Sequence, residues 1–351
     1  MSRGPYTTQA DHGRTTAPDI AASAVMVGRS AVGLGAIVAQ GAVVRSAGGY
    51  TRIGAGSAVL ENSVVVGGRT MQATIGRRTT FGHRCLVIGA TVGDLCEIGN
   101  ASVLMPGARL GDRVFLGEGT VVPGGTTLPS DVVAVGRPAR IVRVASAEDL
   151  GRLTQLRGGE LTIPPSTSVT VEGTNERNTM DQLHEYRGIV PTVAGSAILF
   201  PTAELTGDVV VGERTIIAAG VKIIGDSHGP VRIGNDVQIL ENTVLHLLPD
   251  NDLVLDDGVI IGPGAMIHGC RIGAGSVVEP GAIVCDGSEL GAGCIVRAGA
   301  VVKQRSRFAS GTDVDGFPAA EVGRVTGAPP VPAWAWAHGD LRELRAGGPD
   351  R

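Results

Sequence analysis

"IGNASVLMPGARLGDRVFLGEGTVVPGGTTLPSDVV", residues 98–133, divides into six blocks of six, each opening on Ile, Leu or Val. A period of six is neither the 3.6 of a helix nor the 2 of an ordinary half-buried strand. Hexapeptide repeats of this kind signal a parallel β-helix. Each block supplies a short strand and a turn. The opening aliphatic points inward and stacks on its counterpart one coil along, and Gly serves corners where φ is positive or a side chain would clash. The same phase returns over 272–301, "IGAGSVVEPGAIVCDGSELGAGCIVRAGAV". Such a solenoid is held by contacts between neighbouring coils.

Composition agrees. The chain has 351 residues with 54 Gly but only 5 Phe, 3 Tyr and 2 Trp, so small β-branched side chains rather than aromatics fill the core. Its length exceeds one average domain. A formal charge of -4 and the lack of a basic block argue against a nucleic-acid partner. No apolar run approaches the ~18 residues of a membrane helix, and the N-terminus lacks the apolar stretch of a signal peptide. Five Cys with no C-x-x-C pair read as reduced thiols. A cytoplasmic protein without a membrane partner is expected.

A longer period overlies the short one. "YTRIGAGSAVLENSVVV" (50–66) pairs with "PVRIGNDVQILENTVLH" (230–246), and "VGRPARIVR" (135–143) with "DGFPAAEVGR" (315–324). The offset is 180 at Arg52/Arg232, Glu61/Glu241 and Pro138/Pro318, and 179 before residue 45, as at Gly41/Gly220. The chain thus reads as a tandem duplication: a disordered tail over 1–17, a first β-helix over 18–146, a helix and linker over 147–186, a second β-helix over 187–326, and a C-terminal helix over 327–351. "SAEDLGRLTQLRGG" predicts the first helix from its acidic start and terminal Gly.

Taken together, the opening "PTVAGSAILFPTAELTGDVVVGERTIIAAG" (191–220), the "RIG…VLH" and "IHGC" stretches and the closing "GxPA" turn resemble the γ-class carbonic anhydrase family. The resemblance implies a left-handed parallel β-helix with a C-terminal helix, usually trimeric. It also implies a divalent metal, Zn2+ or alternatively Fe2+ or Co2+, held by three His at a subunit interface. By that resemblance the first and third ligands come from one subunit and the middle one from its neighbour. In copy two these positions are His246, Pro263 and His268; in copy one they are Val66, His83 and Ile88. The spacing agrees, since 268 minus 246 and 88 minus 66 are both 22. Neither copy has a full set, and His83, His246 and His268 together make one.

The family's Arg and Asp of an interfacial turn are divided in the same way: Arg45 with Ala47 in copy one, Ile224 with Asp226 in copy two. Arg45 is expected to pair with Asp226. Three imidazoles leave a metal position open, the pattern of a catalytic site, and zinc so held lowers the pKa of bound water to about 7; in the family the resulting hydroxide attacks CO2. Where the family has Gln-Asp, both copies read Leu-Glu (Leu60-Glu61 and Leu240-Glu241). Glu241 is then a candidate general base or proton shuttle, and a larger organic electrophile becomes an alternative to CO2. Other readings are a metal-dependent hydrolase, dehydratase or cyclase, a hexapeptide acyltransferase using one His as base, and an inactive structural homologue. A small-molecule substrate is expected, with a homo-oligomer or an internal pseudo-oligomer as the assembly. His228 is a candidate pocket residue; His12, His184 and His338 read as surface or linker. Cys85 and Cys270 read as core or turn residues close to the His positions.

Overall fold

A computed structural model describes residues 17–173, 182–226, 229–337 and 340–341. The chain is a parallel β-solenoid of about sixteen turns with very little helix, in keeping with a left-handed hexapeptide β-helix. Strands are mostly two residues long and pair with the strand one coil further on. Thus Glu97 lies opposite Phe115, eighteen residues or three blocks later, and Ile98 opposite Leu116.

Each half is a triangular stack with three faces. In copy one the first face runs from Asp19–Ile20 through Thr80–Phe81 and Phe115–Leu116 to Val132–Val135. The second carries Val64–Gly68, Leu86–Ile88, Val103–Leu104 and Val121–Val122, and the third carries Ala73–Ile75, Thr91–Val92, Arg109–Leu110 and Thr127–Leu128. Two long strands, Val25–Gly33 and Val43–Ile53, bend round the corner and join the second and third faces into one sheet. In copy two the three faces are separate sheets of seven, seven and eight strands; its second face, the counterpart of copy one's, carries Glu204–Gly207, Lys222–Gly225, Val244–Leu245, Met266–Ile267, Ile283–Val284 and Val301–Val302.

The opening residues of the blocks form the stack the sequence predicts: Val38, Val59, Phe81, Ile98, Leu116 and Ala134 are all 0–5% exposed along one face. Both coil ends are closed by antiparallel strands, Arg140–Val144 on Val132–Val135 and Ala319–Arg324 on Thr312–Gly316, which protects the last parallel edge from further pairing. The expected linker is partly ordered. Its Ser168–Glu172 pairs antiparallel with Val25–Gly33 and covers that strand's outer edge. The cause is local: Ser-Val-Thr-Val-Glu alternates apolar and polar and favours a strand.

Helix α1 spans Ala147–Leu156, begins with a capping box between Ser146 and Asp149 and carries Glu148 and Asp149 in its first turn. Its Leu153 is fully buried and lines a cleft over the first face together with Leu60, Thr80 and Phe115. Residues 327–337 form turns and irregular backbone in place of the expected C-terminal helix, and 342–351 lie outside the described residues, as do the expected tail to residue 16, His12, His228 and His338.

The two halves pack on one another. The outward side chains of copy one's second face, Val43, Val64, Leu86, Val103 and Val121, are 0–6% exposed. They belong to one hydrophobic cluster with copy two rather than to copy one's own interior. What meets them is a glycine-lined corner of copy two. A Cβ on Gly264 would lie 2.8 Å from Leu86, one on Gly281 3.1 Å from Val103, and one on Gly299 2.9 Å from Val121. Gly264 has φ +66°, and so does its near-twin Gly275 at +65°, which has nothing within 4 Å of an added Cβ. Gly264→Ala is therefore expected to destabilise the protein by roughly 1–3 kcal/mol more than Gly275→Ala, the excess being the overpacking of Leu86. Chemical denaturation of the two variants measures it; equal losses would mean that the corner does not press on copy one.

Candidate metal and catalytic site

A separation of 22 residues, one coil at this level, places His246 and His268 in register on adjacent coils, following the strand pairs Val244↔Met266 and Leu245↔Ile267. Their rings stand edge to face with centroids 6.0 Å apart. Behind His268, Asp286 brings Oδ2 to 3.4 Å from Nδ1. Asp286 is itself buried and accepts from the Leu248 N–H at 3.1 Å and from Asn251 Nδ2 at 3.3 Å. Asn251 also donates to the Gly269 carbonyl at 2.6 Å. A carboxylate behind Nδ1 sets the orientation of an imidazole and leaves Nε2 for a ligand, the usual support of a metal-binding His. The site is chemically suited to a divalent cation, with two imidazoles on one edge, one of them carboxylate-backed.

His83 occupies a different place. It lies on copy one's corner, half exposed, with Nδ1 2.7 Å from Glu61 Oε2. Its backbone N–H donates to Asn100 Oδ1 at 2.7 Å. It has the same support as His268, a carboxylate at Nδ1, on the opposite kind of surface. Within one chain it does not join the pair: among the described residues, no three His, Cys, Asp or Glu converge as a metal-ligating group.

The internal interface explains this. Copy one's second face, buried under copy two, is the one that carries Val66 and Ile88, both 0% exposed. The corner that covers it carries Pro263, next to Gly264. Val66, Ile88 and Pro263 are therefore all buried within the chain. The polar support is gone as well. The copy-one counterparts of Asn251 and Asp286 are Met71 and Pro106, so four polar positions of copy two, with His246 and His268, are apolar in copy one. Sequence inspection that follows only the His slots misses Asp286 and Asn251. Comparing the two copies at every position of that face finds them.

Two expectations are corrected. Arg45 does not pair with Asp226. Its Nε lies 2.6 Å from Glu241 Oε1, with both side chains only 1% exposed. Nη2 donates to Glu241 Oε2 at 3.3 Å and to the Trp334 carbonyl at 2.7 Å, and the Trp336 ring lies 4.7 Å from the guanidinium carbon. Trp336 in turn stacks on Phe200 at 5.0 Å and exchanges backbone hydrogen bonds with the Gln238 amide at 2.8 and 3.0 Å. Glu241 is thus not placed as a general base at the His pair; it is locked in the internal interface, because a buried carboxylate takes the nearest cation. Asp226 stays on copy two's second face, just past Lys222–Gly225 on the coil that precedes His246. Cys85 and Cys270 are buried, and burial pushes the Cys85 thiol up to about 12 and Cys270 up as well, so both are inert core residues.

Breaking one partner of the buried pair leaves the other charge unmatched. Arg45→Leu or Glu241→Leu alone is expected to cost roughly 3–5 kcal/mol, and the double variant less than either alone. A double-mutant cycle by denaturant unfolding reads this; additive losses would mean the two side chains act independently.

Residues 269–304 match the family described as bacterial transferase hexapeptide (six repeats). Over 104 residues, 30% of this chain and 57% of the relative, the sequence is 36% identical to a carbonic anhydrase of Geobacillus kaustophilus. It is 31% identical over 142 residues, 39% of this chain and 51% of the relative, to the mitochondrial gamma carbonic anhydrase 2 of Arabidopsis thaliana. It is 31% identical over 105 residues, 30% of this chain and 53% of the relative, to the carnitine operon protein CaiE of Escherichia coli. The chain spans about half the length of the curated relatives it matches. Among solved structures, a hexapeptide transferase family protein from Anaplasma phagocytophilum is 26% identical, with 48% of this chain and 92% of that one covered and a TM-score of 0.41. The chain carries hexapeptide repeats over 269–304 and is similar over part of its length to proteins named carbonic anhydrase and CaiE.

Proposed function

We propose that this chain is a metal-dependent enzyme of the γ-carbonic anhydrase type, a lyase that acts on CO2 or on a small organic electrophile. His246 and His268 would hold Zn2+, or Fe2+ or Co2+ in its place, with His83 as the third imidazole. The observation that carries this reading is the pair of in-register imidazoles 6.0 Å apart, retained with its Asp286 support where the other copy has become wholly apolar. Its relatives named carbonic anhydrase support the same class.

A divalent metal held by neutral imidazoles is a Lewis acid that makes a nucleophile of water at neutral pH. The chain's own part is positional. Asp286 stands 3.4 Å behind Nδ1 of His268, Asn251 holds Asp286 against the Gly269 turn, and Glu61 stands 2.7 Å from Nδ1 of His83. Asp226, on the coil before His246, supplies a carboxylate on the same face for steering protons or substrate. Among the described residues no helix is long and apolar enough to cross a membrane.

Purified untagged protein is expected to contain zinc and to hydrate CO2. Asp286→Asn is expected to weaken metal affinity by roughly 10–100-fold, and His268→Ala to abolish binding. Wild-type protein without metal, or metal content indifferent to His268, would reject the reading. The transferase-named repeat over 269–304 favours a second reading, in which His268 backed by Asp286 acts as a base on an acyl acceptor. Acetyl transfer from acetyl-CoA that survives chelation would select it.

A further inference from the structure

We propose that the substrate of this site is an organic electrophile bearing an anionic group, a carboxylate or a phosphate, and that Lys303 and Arg305 of copy two bind that group. The inference rests on the metal reading for the reacting end of the substrate; the anion subsite is read from copy two's own coils.

The column that bears His246 and His268 continues beyond them. The strand pairs Met266↔Ile283 and Ile267↔Val284 carry the register to Cys285, and Ile283↔Val301 and Val284↔Val302 carry it to Lys303. In each coil the residue just before is turned inward: Leu245, Ile267, Val284 and Val302 are all 0% exposed. Alternation along the strand then turns His246, His268, Cys285 and Lys303 outward on one edge. The first three are half-buried and Lys303 is exposed. Neighbouring strands lie about 4.8 Å apart, so the Lys303 backbone stands about 10 Å beyond that of His268. In copy one the same column reads Val66, Ile88, Met105 and Pro123.

Lys303 opens a basic turn, "KQRSR" over 303–307, whose copy-one counterpart is "PGGTT" over 123–127. Arg305 is held against the turn below. Its backbone N–H donates to the Asp286 carbonyl at 3.0 Å, and its stem lies over Gly287, where an added Cβ would be 3.2 Å from Arg305 Cγ. That turn is the one whose Asp286 carboxylate stands behind His268. The carboxylate is already engaged by the Leu248 N–H, Asn251 and His268. Elsewhere on these coils cations are matched: Arg271 with Asp252, Arg297 with Asp313 and Arg307 with Glu289. Arg113 and Arg214, at corners with a positive φ like that of Arg305, each meet an Asp one coil on. Lys303 and Arg305 have no ion pair among the described residues. Two such cations, one of them a planar fork, suit a carboxylate or a phosphate. CO2 carries no such group, so this turn favours the organic electrophile, with its reacting carbon at the His pair and its anion two coils on.

Titration calorimetry at low ionic strength, with inorganic phosphate and with acetate as probes, tests the subsite. Wild type is expected to bind one of them more tightly, which tells a phosphate ester from a carboxylic acid. Lys303→Gln/Arg305→Gln is expected to weaken that binding by at least about tenfold. Arg307→Gln, whose guanidinium is already paired with Glu289, is expected to leave it unchanged. An unchanged melting temperature shows that the double variant is folded, and the single variants serve where it is not. Binding of neither probe, or equal weakening by Arg307→Gln, overturns the subsite. Octanohydroxamate with the bound anion at its far end tests the span. It is expected to bind the zinc protein at least about tenfold tighter than plain octanohydroxamate; equal affinities overturn a single substrate that reaches both ends. A chain that binds the anion through Lys303 and Arg305 but contains no zinc rejects the metal reading and leaves the subsite standing.

Discussion

The burial of copy one's second face under copy two's glycine corner is the constraint on which the rest depends. A hexapeptide coil needs only its neighbours above and below, so nothing in the repeat itself requires two stacks to lie side by side. What holds them is lateral: three aliphatic side chains, Leu86, Val103 and Val121, against Gly264, Gly281 and Gly299, and one buried ion pair between Arg45 and Glu241. Buried pairs add little net stability, because desolvation offsets most of the attraction. Their value is specificity, since any other registration of the two stacks strands a charge in an apolar seam. The segment around Trp334 and Trp336 reinforces this by giving the guanidinium a carbonyl acceptor and an aromatic face.

This constraint accounts for the uneven fate of the two copies. A face enclosed within one chain has no access for substrate, and polar groups in it carry a desolvation penalty. Copy one shows apolar residues at the four positions where copy two has His246, Asn251, His268 and Asp286. The corner follows the same logic in reverse. Pro263 packs inside, while His83 keeps an imidazole and its Glu61 support on the outside. Loss and retention track solvent access at the interface, not position along the chain.

Much of this was legible in the sequence. The six-residue phase at 98–133 specifies a parallel coil because no other backbone geometry repeats an inward aliphatic at that interval, and the acidic start and terminal Gly of "SAEDLGRLTQLRGG" announce α1. The candidate pair His246 and His268 followed from the family resemblance, and their spacing of 22 residues agrees with the 22 between Val66 and Ile88 in copy one. Other features were not legible. Arg45 and Asp226 are both chargeable and both expected near an interface, but which carboxylate reaches the guanidinium depends on how the halves pack, and Glu241 is the one delivered to the seam. The strand Ser168–Glu172 was masked by its polar setting. Asp286 lies 18 residues beyond His268, one coil on, and is invisible to a search that looks only for ligands.

The central claim is that three imidazoles, His246, His268 and His83, make one metal centre. X-ray absorption at the zinc edge counts them directly. The account predicts three imidazole nitrogens at roughly 2.0–2.1 Å in wild type and loss of one or of the metal itself in His83→Ala. Sulfur at the metal, or a spectrum unchanged by His83→Ala, would contradict it.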